Sequence, residues 1–272
     1  MKKTNAVLLS TPYILWMVVF TLIPLGVVCF YALTDAAGNF TLANLMGLGA
    51  YLPVLWQSIV YSLAAAMICL LLGYPVAYYI SHRSATTQKF LYMLIMLPMC
   101  MSFLLRTLAW VGLLQDTGII NDFLASLGLP RLQLIRTPGA VILGMVYNYL
   151  PYMILPLYST ICKIDRRLIE AAEDLGCTPV QVFSKVILPL SVPGILSGIT
   201  MVFVPAVSTF YISQKLGGTD TVLIGDVIER QFKQGNTPTL GAALSLVLMI
   251  LVFVCTGIMN RFGADEEGGV IA

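Results

Sequence analysis

Long apolar runs separated by short polar stretches dominate this chain, and they restrict its fold more than any other feature. Six runs of about twenty residues can be read, which is the length at which a helix crosses the hydrocarbon core of a membrane. The 272 residues are 58% hydrophobic and 10% charged, whereas a soluble domain is roughly 25% charged. A soluble core of this size could not bury so much apolar surface. We therefore predict an all-α membrane protein with six transmembrane helices.

The apolar runs also give approximate boundaries. The predicted spans cover about residues 12–33, 56–80, 90–114, 139–161, 192–212 and 240–260. The whole chain, 1–272, is predicted to form a single membrane domain with a core at residues 55–260, and residues 163–190 form a loop between the fourth and fifth spans. Small residues spaced four apart, at Gly194 and Gly198 and at Gly241 and Ser245, favour close helix packing.

The distribution of Lys and Arg predicts the orientation, because cytoplasmic loops carry an excess of these residues. With the N-terminus inside, the inner segments hold nine: Lys2, Lys3, Arg83, Lys89, Lys163, Arg166, Arg167, Lys185 and Arg261. The outer segments hold five: Arg131, Arg136, Lys215, Arg230 and Lys233. We therefore expect a multi-pass protein of a bacterial inner (plasma) membrane with both termini in the cytoplasm. The 163–190 loop would then also be cytoplasmic.

Several absences limit the chemistry of this chain. It has no Gly-x-x-x-x-Gly-Lys-Ser/Thr phosphate-binding motif, and His82 is its only histidine. Its six cysteines are dispersed without a Cys-x-x-Cys pair and are interpreted as small hydrophobic residues. The net charge of +2 is too small to indicate nucleic acid as a partner. We predict that the chain is not an enzyme and has no catalytic residue, no metal site and no cofactor of its own.

The 163–190 loop carries strong local signals for a helix, a sharp turn and a second helix. Residues 166–175 are good helix formers, and Gly176 can adopt the left-handed conformation that ends a helix. Thr178 followed by Pro179 is typical of a new helix start. The spacing predicts one apolar face on this second helix, made by Val180, Phe183 and Ile187.

The same loop resembles the coupling loop of permeases from ATP-binding-cassette (ABC) importers. The matching residues are Glu170, Ala171, Ala172, Gly176, Leu188 and Pro189, with Val186 in place of the usual Ile. The resemblance implies the type-I ABC importer permease fold, in which the loop docks in a groove of a separate ATPase. The implied partners are an ABC ATPase subunit dimer that binds the ATP, a second homologous permease subunit, an external substrate-binding protein and membrane lipid.

Other stretches resemble the permeases of polyamine (spermidine/putrescine) importers, of the first-membrane-subunit type. They lie at residues 71–78, 102–110, 155–159 and 216–225. Importer permeases for ferric iron, sulfate, molybdate, thiamine and phosphonate share much of this pattern, so these cargoes stay as alternatives. A secondary transporter driven by an ion gradient is a more remote alternative. It would be expected to carry acidic residues inside its spans and no Glu-Ala-Ala loop.

Polar and aromatic residues at membrane depth are candidates for the translocation path. These are Arg106, Trp110, Asn148, Tyr149, Tyr152, Phe203, Ser208 and Phe210. Aromatic faces and backbone carbonyls freed by Pro151 and Pro156 can replace water around a cation. Arg106 either faces the bundle interior, where we favour a role in gating or helix pairing, or reaches the outer headgroups. After the fifth span, residues 216–232 are predicted to contain a short helix.

Overall fold

The computed structural model describes residues 13–35, 38–219, 221–234 and 238–267, and these residues are mostly helical. The helices are α1 (Tyr13–Ala32), α2 (Leu52–Ser81), α3 (Ala85–Met96), α4 (Phe103–Leu114), α5 (Ile119–Ser126), α6 (Pro138–Ile161), α7 (Arg166–Asp174), α8 (Pro179–Leu190), α9 (Val192–Val207), α10 (Tyr211–Leu216), α11 (Ile224–Gln234) and α12 (Pro238–Glu267). Short turns at Ala43–Met46 and Gly47–Tyr51 precede α2. Within these described ranges, the only β structure is an isolated bridge between Thr34 and Phe40. The predicted all-α fold is confirmed.

Helices long and apolar enough to cross a membrane account for most of the described chain. Five qualify directly, at Tyr13–Ala32, Gly47–Ser81, Phe103–Ser126, Pro138–Ile161 and Pro238–Met259. A sixth is obtained if α8 and α9, which meet at an angle of 61°, are taken together. Four of the predicted spans, the first, second, fourth and sixth, coincide with helices of this kind. Residues 1–12, which include Lys2 and Lys3, lie outside the described residues.

The predicted spans at 90–114 and 192–212 are each divided into shorter helices. The first is broken after Met96 by a 3₁₀ turn at Leu97–Cys100, and α4 starts only at Phe103. Pro98 lies in this break and contributes to it, because it has no N–H to continue the helical ladder. The second helix ends at Val207, two residues after Pro205, and a separate short helix follows it.

The chain divides into two compact units. Unit 1 consists of Met1–Pro53 and Val227–Leu251, and unit 2 consists of Val54–Asp226 and Val252–Ala272. In unit 1, a small core is formed by Ala32, Ala242 and Ala243, with Val28, Leu48 and Leu246 packed around it. Small side chains therefore do bring helices together at the 241–245 pattern.

The core of unit 2 is built around α6, the most buried of the long helices. Its start is fixed by Thr137, whose hydroxyl accepts a hydrogen bond from the Ala140 N–H at 3.1 Å, and by Pro138 at the first position. Helix α9 packs along α6. A Cβ placed on Gly198 would lie 2.6 Å from the sulfur of Met153. The glycines of α9 therefore permit the close approach that the sequence predicts.

The segment before α11 is attached to α2 within unit 2. The Ser58 hydroxyl accepts a hydrogen bond from the Ile224 N–H at 2.8 Å, and the Asp226 carboxylate accepts one from the Leu223 N–H at 2.9 Å. These bonds satisfy N–H groups at the start of a helix, which have no helical partner. The helix predicted within residues 216–232 is confirmed, although it starts only at Ile224 and continues to Gln234.

Candidate functional site

Gly176 ends α7 in the way that its sequence position predicts. Its φ angle is +82°, in the left-handed region that favours glycine. The Gly176 N–H donates to the Glu173 carbonyl at 2.9 Å, and the Cys177 N–H donates to the Ala172 carbonyl at 3.0 Å. This pair of bonds is the Schellman motif, which satisfies the last carbonyls of a helix. The turn is therefore tightly defined by backbone hydrogen bonds.

Thr178 begins the second helix with a reciprocal pair of side-chain bonds. The Thr178 N–H donates to Oε1 of Gln181 at 2.9 Å, and the Gln181 N–H donates to the Thr178 hydroxyl at 3.4 Å. Pro179 occupies the first helical position. This capping box confirms the predicted helix start. Only Cys177 separates it from the glycine turn, so α7 and α8 are joined by a short and rigid connection.

The inner face of the α7–α8 hairpin differs from the predicted one. Ala172, Val182 and Ile187 are its buried residues, whereas Val180 is 75% exposed, so the prediction for Val180 is wrong. A π turn at Phe183–Ile187 explains the difference, because it accommodates more residues per turn than the assumed period of 3.6. Ala172 faces inwards, so its small side chain brings α8 close to α7.

An aromatic cluster attaches the hairpin to α2, and the sequence patterns did not identify it. The ring of Phe183 packs edge-on against Tyr74 and Tyr78, with ring centroids 5.6 and 5.8 Å apart. The Tyr74 hydroxyl also lies 2.9 Å from the hydroxyl of Ser191, the residue at the bend between α8 and α9. The hairpin is therefore joined to α2 both through packing and through a hydrogen bond at the bend.

The outer face of the hairpin combines apolar and acidic groups. Leu175 is 85% exposed, Val180 is 75% exposed and Leu168 is 50% exposed, and Glu170 and Ala171 are exposed beside them. Leu188 and Pro189 are also exposed, at the end of α8. Large apolar side chains on a short polar loop are more typical of a protein contact than of a solvated hairpin. Of the two alanines, only Ala171 is on this face.

Four of the candidate path residues are buried within unit 2. Arg106 is 7% exposed, Asn148 1%, Tyr149 7% and Phe203 6%. The Tyr149 hydroxyl donates to the Pro205 carbonyl at 3.3 Å. Arg106 Nε and Nη1 and Asn148 Oδ1 have no hydrogen-bond partner among the described residues. Of the two alternatives for Arg106, the structure therefore shows the buried one.

The other candidate path residues reach the surface of the chain. Tyr152 is 38% exposed and Phe210 is 40% exposed, and Ser208 is exposed between α9 and α10. Trp110 is half-buried and packs edge-on against Tyr147, with ring centroids 5.4 Å apart. Over the described part of the chain, no group of three His, Cys, Asp or Glu side chains is placed to hold a metal ion.

Comparison with known proteins assigns most of the chain to one family of membrane transport proteins. Residues 69–263 match the binding-protein-dependent transport system inner membrane component family. The chain is 39% identical over 261 residues to the spermidine/putrescine transport system permease protein PotB of Haemophilus influenzae, covering 92% of this chain and 90% of that one. It is 31% identical over 257 residues to the inner membrane ABC transporter permease protein YdcU of Escherichia coli, covering 87% and 82%.

Solved structures show the same fold at low sequence identity. A chain of a bacterial ABC transporter for import of the acidic polysaccharide alginate superposes with a TM-score of 0.81, at 18% identity, covering 97% of this chain and 96% of that one. A chain of the inward-facing MetNI methionine ABC transporter gives 0.61, at 18% identity, covering 81% and 97%. With the family match and the exposed loop of α7 and α8, these similarities identify the chain as a member of the binding-protein-dependent transport system inner membrane component family, an ABC importer permease.

Proposed function

We propose that this permease imports polyamines, putrescine or spermidine. The observation that supports the cargo is the 39% identity to a spermidine/putrescine permease across 92% of the chain. Family membership argues against a secondary transporter that works alone. Ferric iron, sulfate, molybdate, thiamine and phosphonate stay as alternative cargoes, because related permeases share much of the sequence pattern.

The complete transporter would contain several other chains. Because this chain has no phosphate-binding motif, an ABC ATPase subunit dimer would bind and hydrolyse the ATP, and this chain would hold no cofactor. A second homologous permease would complete the membrane part, and an external binding protein would deliver the cargo. The exposed surface at Glu170, Ala171 and Leu175 is the proposed contact with the ATPase.

The proposed topology has six spans in a single membrane domain, with both termini in the cytoplasm. Helices α3 and α4 together form the third span, and the bent pair α8 and α9 leads from the cytoplasmic loop into the fifth. The nine-to-five distribution of Lys and Arg supports this orientation. It leaves α7 on the side of the membrane where the ATPase is found.

We test this topology by cysteine labelling with a reagent that does not cross membranes. Single cysteines placed at Asp174 and Gly263 are expected to react only when the cytoplasmic side is accessible. Cysteines placed at Gly128 and Gly218 are expected to react from the outside in intact cells. External labelling at Asp174 would overturn the orientation and the coupling proposal that depends on it.

The cargo would pass groups that attract a cation weakly. Aromatic faces contribute about 0.5–2 kcal/mol each to binding of an ammonium group, and several weak contacts do not hold a flexible polycation in place. Tyr152 and Phe210 are the exposed aromatic residues of the proposed path. The proposed path also includes Trp110 and Ser208. Four buried residues would hold these path residues in place from behind: Arg106, Asn148, Tyr149 and Phe203.

The cargo is tested by uptake of radiolabelled putrescine and spermidine into cells that express the complete transporter. We expect ATP-dependent uptake that an excess of either polyamine reduces and that ferric iron, sulfate and thiamine do not. A variant with Glu170→Arg provides the background, since its loop should no longer meet the ATPase. If another solute enters and neither polyamine does, the proposed cargo is wrong.

A further inference from the structure

The second half of α8 is a mechanically weak stretch of helix. Phe183–Ile187 form a π turn, in which the Leu188 N–H donates to the Phe183 carbonyl, so the bond reaches one residue further back than in an α-helix. Pro189 follows and has no N–H, so the Lys185 carbonyl receives no α-helical hydrogen bond from it. Because its regular ladder is interrupted, this stretch lengthens or bends more easily than an ordinary α-helix.

The weak stretch lies between the exposed surface of the α7–α8 hairpin and α9. Leu175 and Val180, which are 85% and 75% exposed, precede it in the chain, and α9 begins soon after it, at Val192. A movement imposed on the exposed surface therefore reaches α9 through this stretch. If the stretch lengthens or bends, it absorbs part of that movement. Efficient transmission to α9 requires that both ends of the stretch are held.

One side chain of α2, that of Tyr74, contacts both ends of the weak stretch. Its ring packs edge-on against Phe183, the first residue of the π turn, with ring centroids 5.6 Å apart. Its hydroxyl lies 2.9 Å from the hydroxyl of Ser191, the buried residue at the bend. The Ser191 hydroxyl donates its one hydrogen to the Leu188 carbonyl at 2.8 Å, so Tyr74 is the donor to Ser191.

Tyr74 itself is fixed by the core of unit 2. The preceding residue, Gly73, lies against α6, where a Cβ would come within 3.2 Å of Met153 Cγ and 3.3 Å of Ile154 Cγ1. Tyr74 is buried in the same cluster as Met153 and Ile154. Closely packed side chains do not shift freely, so Tyr74 holds the two points of α8 that it contacts at a constant separation.

The hairpin meets the end of α6 less closely than it meets α2. Residues from the end of α6 and from α7 line a cavity of about 210 Å³, among them Ile161, Cys162, Arg166 and Ile169. By contrast, Phe183 and Tyr78 pack both against the buried residues of the hairpin and against the core of unit 2. The close contact between the hairpin and this core therefore runs through α2.

We propose that Tyr74 is a positioning residue that enables α8 to transmit the movement of the ATPase to α9. Because it holds Phe183 and Ser191 at a fixed separation, the π turn does not lengthen when the hairpin moves. The hairpin, the bend and the core of unit 2 then move together. This role rests on the proposed contact between the hairpin and the ATPase, and it is independent of the cargo.

The test is Tyr74→Phe, which removes the hydroxyl and keeps the ring. The complete transporter is reconstituted in vesicles, and putrescine uptake and ATP hydrolysis are measured together. We expect uptake per ATP hydrolysed to fall about fivefold, the factor that corresponds to one net hydrogen bond, while the ATPase subunits stay bound. The control is Tyr158→Phe, which removes a hydrogen bond of 3.1 Å to Gln88 Oε1, between α6 and α3. It should leave the ratio unchanged.

The ratio of uptake to ATP hydrolysis separates transmission from a purely structural role. A structural role would lower the melting temperature and reduce uptake and ATP hydrolysis by the same factor. An unchanged ratio in Tyr74→Phe, or an equal fall in Tyr158→Phe, would overturn the proposal. Loss of the ATPase subunits from Tyr74→Phe would overturn it too, because the hydroxyl would then shape the contact rather than transmit movement.

Failure of the proposed function is recognised separately. If the wild-type transporter carries another solute and not putrescine, the polyamine cargo is wrong, and the same ratio measured with that solute decides the role of Tyr74. If Tyr74→Phe lowers the ratio and Glu170→Arg does not, α8 transmits movement as proposed, but the ATPase contacts the hairpin away from Glu170.

Discussion

Replacing Gly176 with proline is expected to abolish ATP-driven uptake while the permease still inserts in the membrane. Proline fixes φ near −65° and has no N–H, whereas Gly176 has a φ of +82° and donates to the Glu173 carbonyl. The turn between α7 and α8 would change direction, and the exposed surface at Glu170 and Leu175 would no longer be presented correctly. Proline cannot adopt a φ of +82°, so the left-handed turn is lost rather than strained, and we expect no ATP-driven uptake.

Gly128 provides a matched control for this substitution. It also follows a helix, has a φ of +75° and donates its N–H to a carbonyl three residues earlier, that of Ala125. A Cβ at either glycine would meet nothing within 4 Å. Gly128→Pro should therefore perturb the backbone to a similar extent, in a loop that the proposed topology places on the outer side of the membrane. Uptake and cargo-stimulated ATPase activity are measured for both variants in vesicles that contain the complete transporter. If both variants lose uptake equally, or if Gly176→Pro keeps normal uptake and ATPase activity, the α7–α8 loop is not the contact with the ATPase.

Gly198→Leu is expected to separate α6 from α9 and to lower the yield of folded protein strongly. A Cβ at Gly198 would lie 2.6 Å from the sulfur of Met153 and 3.3 Å from its carbonyl oxygen, and Met153 is fully buried. Adding a whole leucine side chain there costs about 3 kcal/mol or more, at the upper end of overpacking effects. The melting temperature and the fraction of monodisperse protein after purification in detergent are the measurements.

The control for this variant is Gly257→Leu in α12, also an apolar helix. A Cβ at Gly257 would meet nothing within 4 Å, so the same substitution should leave the melting temperature of the purified chain nearly unchanged. A glycine-to-leucine change in an open helical position even improves helix propensity, by up to about 1 kcal/mol. If both variants unfold equally, close packing at Gly198 is not what holds α9 on α6.

Local signals explain what the sequence predicts well. Gly176 and the Thr178-Pro179 pair act through hydrogen bonds that span only a few residues, so the turn and the new helix can be read directly. The four uninterrupted spans follow from length and hydropathy alone. Val180 shows the limit of this approach, because its exposure depends on a π turn that begins three residues later.

Long-range packing explains what the sequence predicts poorly. Pro98 and Pro205 are visible in the sequence, but prolines also occur inside α2 and α6 without ending them. Whether the helix breaks depends on neighbours that satisfy the freed backbone groups, and these neighbours are remote in sequence. The burial of Arg106 and the aromatic attachment of Phe183 to α2 have the same origin. Neither produces a local pattern.

The angle between α8 and α9 has a mechanical consequence. Helices α8 and α9 meet at 61°. A displacement of α8 along its own axis therefore has one component along α9 and one perpendicular to it. The component along α9 is close to half of the displacement, because the cosine of 61° is close to one half. The larger component is perpendicular to α9. The hydrogen bond between Tyr74 and Ser191 attaches the corner to α2. A motor that pulls on the loop along α8 would therefore shift α9 nearly twice as far sideways as along its own axis.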